Sequence, residues 1–118
     1  MKKILVIDDD VIFLKTINDT LSSVGYEVSE ARDGKLGLEV ARKEKPDLIL
    51  LDVMMPNLGG MDLLKILKAD EELNKIPVVI VSNFTSVRGL ELGASGYIVK
   101  SNESLKTISN AVESIIGK

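Results

Sequence analysis

The sequence predicts a three-layer α/β sandwich built around a five-stranded parallel sheet. Three observations carry this. Short apolar runs bounded by charges recur along the chain, as strands buried on both faces require. Amphipathic stretches with helical spacing separate most of them. The two kinds of segment alternate through the whole length, which is how parallel strands joined by right-handed crossovers are built.

Ile4-Leu5-Val6-Ile7 is the first buried run. A helix follows from Asp10 to Val24, with Leu14, Ile17, Leu21 and Val24 on one face. Asp10 reads as its N-cap and Gly25 as the left-handed residue that ends it. Residues 26–31 form a short second strand, Asp33-Gly34 a turn, and 35–44 a helix that stops before Pro46. Leu48-Ile49-Leu50-Leu51 is the third strand and ends at Asp52. After a loop over 56–60, Asp62 is placed to cap a helix reaching about Glu72, with Leu63, Leu64, Ile66 and Leu67 inward. Pro77 opens a fourth strand over 78–81, and the fifth is 97–99. The last helix, 102–116, carries the stripe Leu105, Ile108, Val112, Ile115 and Ile116, and Gly117 ends it.

The 118 residues form one domain, 1–118, and 45% hydrophobic content is that of a globular chain. Only two Tyr and two Phe are aromatic, so the core is Ile, Leu, Val and Ala. A net charge of −3 gives no electrostatic footprint for nucleic acid. With no Cys and no His, disulfides, thiolate chemistry, imidazole catalysis and His-ligated zinc are excluded. Chemistry is left to carboxylates, Lys, hydroxyls and a hard metal. The apolar run in MKKILVIDDD is too short for a signal peptide, and no run approaches a membrane span. A cytoplasmic protein is the expectation.

The chemistry-bearing residues stand at strand ends. Asp8, Asp9 and Asp10 follow the first strand, Asp52 the third, Ser82 the fourth and Lys100 the fifth. In open α/β sheets, ligands bind beyond the carboxyl ends of the strands, where strand order reverses. If the first and third strands are neighbours, Asp8, Asp9 and Asp52 converge. Carboxylates so placed repel one another, and a divalent cation such as magnesium or manganese offsets that charge. Asp52 is then a candidate nucleophile toward phosphorus, giving an aspartyl phosphate. Lys100 and the metal would neutralise the transferred group, and the Ser82 hydroxyl would donate to it. Taken singly, each residue has a plainer reading: Asp10 as a cap, Asp52 in a turn, Ser82 as a cap, Lys100 as a solvated charge. The ordered combination carries the signal.

ILVIDDD, LILLDVMMP, VVIVSN and GASGYIVK resemble the motifs of response-regulator receiver domains, the phospho-accepting half of two-component signalling. The resemblance covers the whole chain and is closest in kind to single-domain regulators of the chemotaxis type. It implies the flavodoxin-like strand order 2-1-3-4-5. It also implies phosphorylation of Asp52 by a sensor histidine kinase or phosphotransfer protein. Mg2+, or Mn2+, would be bound directly by Asp9, with Asp8 acting largely through water and Asp52 and the Met54 carbonyl completing the ligands. Lys100 would pair with the phosphoryl group. Ser82 and Tyr97 would switch together, and Met54 and Phe84 would tune the rate of dephosphorylation. Tyr97 also reads as a half-buried core aromatic, Met55 as loop packing and Pro56 as a rigid loop residue.

Two departures from the family pattern stand out. Ser101 replaces the usual Pro after the Lys. A cis bond to a non-proline residue costs about 3–4 kcal/mol, which favours a trans 100–101 peptide, with Ser101 or Asn102 capping the last helix. The stretch SNFTSVRGLELGASG, 82–96, is about one helical turn short, so the fourth family helix, over 84–92, is expected to be truncated or irregular. That would alter the usual output face, so that the protein signals through another surface or orders this segment only when phosphorylated.

The leading expectation is a phospho-acceptor switch, not a metabolic enzyme, that loses its phosphoryl group to water. With no output domain after Gly117-Lys118, it would act as a monomer or weak dimer, binding an unknown downstream protein or relaying phosphate, with no direct contact to nucleic acid or membrane. A second reading is a receiver-like binding module that is never phosphorylated. A remote one is a haloacid-dehalogenase-like phosphatase using Asp8-Asp9-Asp10, against which stand Val11-Ile12 in place of Gly-Thr and the lack of a cap insertion.

Overall fold

The computed structural model describes residues 1–53, 58–82, 93–100 and 104–117. The elements in chain order are β1 (Lys3–Ile7), α1 (Val11–Ser23), β2 (Glu27–Ala31), α2 (Gly34–Glu44), β3 (Leu48–Leu51), α3 (Gly60–Ala69), β4 (Val78–Ser82), β5 (Gly96–Val99) and α4 (Ser104–Ile116). The five strands are parallel and hydrogen-bond in the order β2-β1-β3-β4-β5, the flavodoxin-like arrangement. The chain therefore moves outward from β1 in one direction to β2, then crosses back to β3 and beyond. The reversal lies between β1 and β3, at the carboxyl ends of both.

Because side chains alternate across a strand, each apolar run feeds two cores. Ile4, Val6, Leu48, Leu50, Val79 and Val81 face Leu14, Ile17 and Leu21 of α1 and Ile108 and Val112 of α4. Leu5, Ile7, Ile49, Leu51, Val78 and Ile80 face Ala41 of α2 and Leu63, Leu64 and Leu67 of α3. This explains why β1, β3 and β4 read as unbroken apolar runs rather than alternating ones.

Several boundaries differ from the sequence expectation, each for a local reason. Asp33 is the N-cap of α2, its carboxylate accepting from Leu36 N, so the Asp33-Gly34 turn is the helix start. Asp62 does not cap α3; Gly59 does, without a side-chain hydrogen bond, and Asp62 lies in the first turn. α3 stops at Ala69 rather than near Glu72 because the Asp70 carboxylate takes the N–H groups of Glu72 and Leu73 at 2.8 and 3.2 Å, closing a turn instead. Tyr26 precedes β2; it is buried and donates its hydroxyl to the Gly117 carbonyl at 2.8 Å. Lys2 Nζ holds the neighbouring Ile116 carbonyl, so two residues from the far end of the chain tie down the end of α4. Val24, Leu105 and Ile115 are exposed, so both outer helices bury narrower stripes than their periodicity implies. The expected cap at Ser101 or Asn102, the 100–101 peptide and the helix over 84–92 lie outside the described residues.

Candidate functional site

The site is assembled by backbone pairing before any side chain is considered. β1 and β3 lie in register, Ile7 opposite Leu51, so the next residue on each, Asp8 and Asp52, emerge side by side. Asp52 N–H donates to the Ile7 carbonyl at 2.9 Å and Asp8 N–H to the Ala31 carbonyl at 3.0 Å, which fixes both backbones. On the other side, Lys100 N–H donates to the Ser82 carbonyl at 2.7 Å, extending the β4–β5 ladder by one step. Four strand ends thus deliver Asp8, Asp52, Ser82 and Lys100 to one rim of the sheet.

Asp8 is 1% and Asp52 6% exposed, whereas Asp9 faces solvent. A carboxylate oxygen from each of the three lies within 4.8 Å of the others. Lys100 Nζ sits 2.7 Å from Asp8 Oδ2 and 4.0 Å from Asp52 Oδ2, so its tighter ion pair is with Asp8. Burial raises the Asp8 carboxyl from the ordinary 3.8 to about 6. The Lys100 hydrogen bond and the Asp10 N–H oppose that rise, and the Asp52 charge adds to it.

Asp10 has two tasks. Its carboxylate accepts from Ile12 N at 3.0 Å and Phe13 N at 3.1 Å, capping α1 as the sequence indicates. Its own N–H donates to Asp8 Oδ1 at 2.9 Å. The three consecutive acids are therefore divided among a buried ion pair, a solvent-facing carboxylate and a helix cap. Asp10→Ala is expected to cost about 1 kcal/mol in urea unfolding, with Asp10→Ser recovering most of it; equal loss in both variants would refute the capping role.

Ser82, fully buried at the end of β4, hydrogen-bonds through its side chain to Tyr97. Burial raises the Tyr97 phenol above 10.0, the Ser82 bond opposes this and the Asp52 charge adds to it. Tyr97 also packs on the α2–α3 core, so it is both a core aromatic and a partner of Ser82. Met54 and Phe84 lie outside the described residues. Phe13 is the group that sequence reasoning missed: its ring centroid is 4.3 Å from Lys100 Nζ. The available signal was local only, since Phe13 follows the Asp10 cap by three residues and so occupies the turn of α1 nearest the acids.

The donor set fits a hard divalent cation. Its donors are anionic oxygens, and the chain has no His or Cys to favour a softer ion.

The model of the response regulator receiver domain family matches residues 4–113. The chain belongs to this family. The receiver is 40% identical over 103 residues to the probable transcriptional regulator ycf27 of Cyanophora paradoxa, a match covering 84% of this chain and 42% of that protein. It is 37% identical over 83 residues to the polar-differentiation response regulator DivK of Brucella anthropi, covering 70% of this chain and 68% of the relative. The chain therefore spans less than half of the first relative and about two thirds of the second. Among solved structures, chemotaxis response regulator CheY4 of Vibrio cholerae superposes with a TM-score of 0.89 at 28% identity, covering 98% of both chains. Receivers are signalling proteins rather than metabolic enzymes, and the acidic pocket of Asp8, Asp9 and Asp52 is this receiver's metal-binding candidate. Among the described residues, no helix is long and apolar enough to cross a membrane.

Proposed function

We propose that this receiver accepts a phosphoryl group on Asp52 and works as a cytoplasmic phosphorelay switch. The observation that carries the reading is the placement of Asp52: it is almost fully buried at the end of β3, beside Asp8 and Asp9 and 4.0 Å from the Lys100 ammonium. In the transfer, an Asp52 carboxylate oxygen attacks phosphorus and the bond to the donor nitrogen or oxygen breaks. The leaving group departs with the electron pair and takes a proton. Water later attacks the same phosphorus and returns the carboxylate.

Asp9, Asp8, Asp52 and the Met54 carbonyl would hold Mg2+ or Mn2+, which when bound supplies positive charge against the phosphoryl oxygens. Lys100, 2.7 Å from Asp8 and 4.0 Å from Asp52, would exchange its first partner for a phosphoryl group on Asp52 and so couple acceptor chemistry to β5. Ser82 would donate its hydroxyl to the phosphoryl group, and Tyr97, bonded to Ser82, would reorient with it. Met54 and Phe84 would set the rate of water attack. The donor would be a sensor histidine kinase or phosphotransfer protein, and the readout a downstream protein that binds the phosphorylated form.

Mass spectrometry after acetyl phosphate and Mg2+ tests the reading. Wild type is expected to gain one phosphate-sized mass, which Asp52→Asn abolishes and Asp8→Asn or Lys100→Met reduces. A gain that survives Asp52→Asn, or no gain from acetyl phosphate and phosphoramidate alike, would overturn it.

A further inference from the structure

Among the described residues, the Lys100 ammonium has three neighbours, not two. Besides Asp8 Oδ2 at 2.7 Å and Asp52 Oδ2 at 4.0 Å, it lies over the face of Phe13, 4.3 Å from the ring centroid. An ammonium on a flexible four-carbon stem is strongly hydrated and ordinarily stays in water. Here the Lys100 side chain is only 10% exposed. A ring face attracts a cation through its quadrupole, and more strongly where water is excluded.

Phe13 is itself held in place. Its N–H donates to the Asp10 carboxylate, and its side chain packs against the cluster that includes Ile4, Leu14 and Ile17. The same Asp10 donates its N–H to Asp8 Oδ1, so one residue anchors both the Phe13 backbone and the carboxylate beside Lys100.

We propose that Phe13 is a positioning residue for Lys100, retaining the ammonium at the rim of the site while it exchanges Asp8 for a phosphoryl group on Asp52. The proposal rests on the acceptor reading above. An ion pair with Asp8 alone would leave the ammonium without its nearest partner once that carboxylate turned to a metal ion. The Phe13 ring is neutral, so its attraction for the ammonium does not depend on a carboxylate being available as partner. It therefore spans the exchange, which neither carboxylate does. An aliphatic side chain at position 13 would exclude water equally but would offer the cation no attraction.

The test replaces Phe13 by mono-, di- and trifluorophenylalanine, which keep the ring's shape while progressively weakening its quadrupole, and by Leu and Tyr. Two quantities are read: solvent exchange of the Lys100 ammonium protons by nitrogen-15 NMR in metal-free protein, and the rate of phosphorylation by acetyl phosphate at saturating Mg2+. Ammonium exchange is expected to quicken, and phosphorylation to slow, stepwise with fluorine number. Phe13→Leu should reach a roughly three- to tenfold loss of rate, and Phe13→Tyr should recover most of it. Melting temperatures across the fluorine series should stay together, which separates this effect from packing. If the trifluoro protein matches wild type in ammonium exchange, the proposal falls. If instead wild type takes up no phosphoryl group while the exchange series still grades with fluorine, the acceptor reading falls and the ring's hold on Lys100 stands.

Discussion

Gly60→Ala is expected to destabilise the protein by about 2–4 kcal/mol, although alanine is the better helix former by about 1 kcal/mol. A Cβ at Gly60 would come within 2.5 Å of Val53 Cα and closer still to the Asp52 carbonyl oxygen. These are backbone atoms of the segment that carries Asp52, so nothing at the end of a flexible side chain can yield. The Gly60 N–H donates to the Val53 carbonyl at 3.2 Å, and the start of α3 is thereby pressed onto the end of β3. Relief requires moving either the helix or Asp52, so metal affinity should fall together with stability. The adjacent glycine provides the contrast. Gly59 is an extended N-cap, φ −67° and ψ 157°, and among the described residues a Cβ there would find its nearest neighbour, the Val53 carbonyl, at 4.0 Å. Gly59→Ser should be tolerated and gain a few tenths of a kcal/mol by supplying the cap that α3 lacks. Urea unfolding of the two variants decides the matter; similar losses in both would sink the steric account.

In metal-free buffer, the buried Asp8 carboxylate should lower stability as pH rises from about 4 to 6. The folded protein holds the Asp8 proton to about pH 6, while the unfolded chain releases it near 3.8. Below 3.8 both forms are protonated and the group costs nothing. Between the two values the unfolded chain binds fewer protons, so stability falls with pH, and above about 6 the cost levels off at roughly 3 kcal/mol. Asp8→Asn removes that charge, and because the raised carboxyl already reflects the opposing Lys100 bond, a net gain is expected at pH 7.5. The informative quantity is the difference between wild type and Asp8→Asn as a function of pH, since other acids cancel in it. Saturating Mg2+ should reverse the sign of that difference above pH 6, because the carboxylate is then occupied. A difference that stays flat from pH 4 to 7 in chelator would refute the assignment of the cost to Asp8.

Both effects show why a site of this kind costs the fold something. Closely placed carboxylates at a strand reversal are held there by backbone pairing, not by affinity for one another. Ile7 opposite Leu51 brings Asp8 and Asp52 together whatever their charge, and Lys100 arrives because its N–H continues the β4–β5 ladder. The stability lost at the rim is offset in the two apolar cores below it.

Much of this was legible in the sequence, because the signals were local. Strands buried on both faces are apolar runs, and the Ile4–Ile7 and Leu48–Leu51 runs end where the acids begin. The Asp10 cap and the left-handed Gly25, φ 103°, are set by contacts within one turn of helix. Strand-end placement puts Asp8, Asp9, Asp52, Ser82 and Lys100 on one rim, and the motif resemblance implies the strand order. Other features rest on distant contacts. Gly59 rather than Asp62 begins α3, because the first turn must lie against Asp52 and Val53, which leaves no room for a Cβ at Gly60. Leu105 and Ile115 continue the helical periodicity of α4 yet stay exposed, since how wide a stripe is covered depends on the neighbouring elements. Lys100's preference for Asp8 over Asp52, and the Phe13 ring against it, join groups far apart in the chain, where no spacing rule applies. The alternation of elements and the acids and lysine at the strand ends follow from the residues alone, because periodicity and capping act over a few residues. Which of those charges pair, which glycine must remain a glycine and which aromatic faces the cation depend on ångström distances between elements, and packing alone sets those.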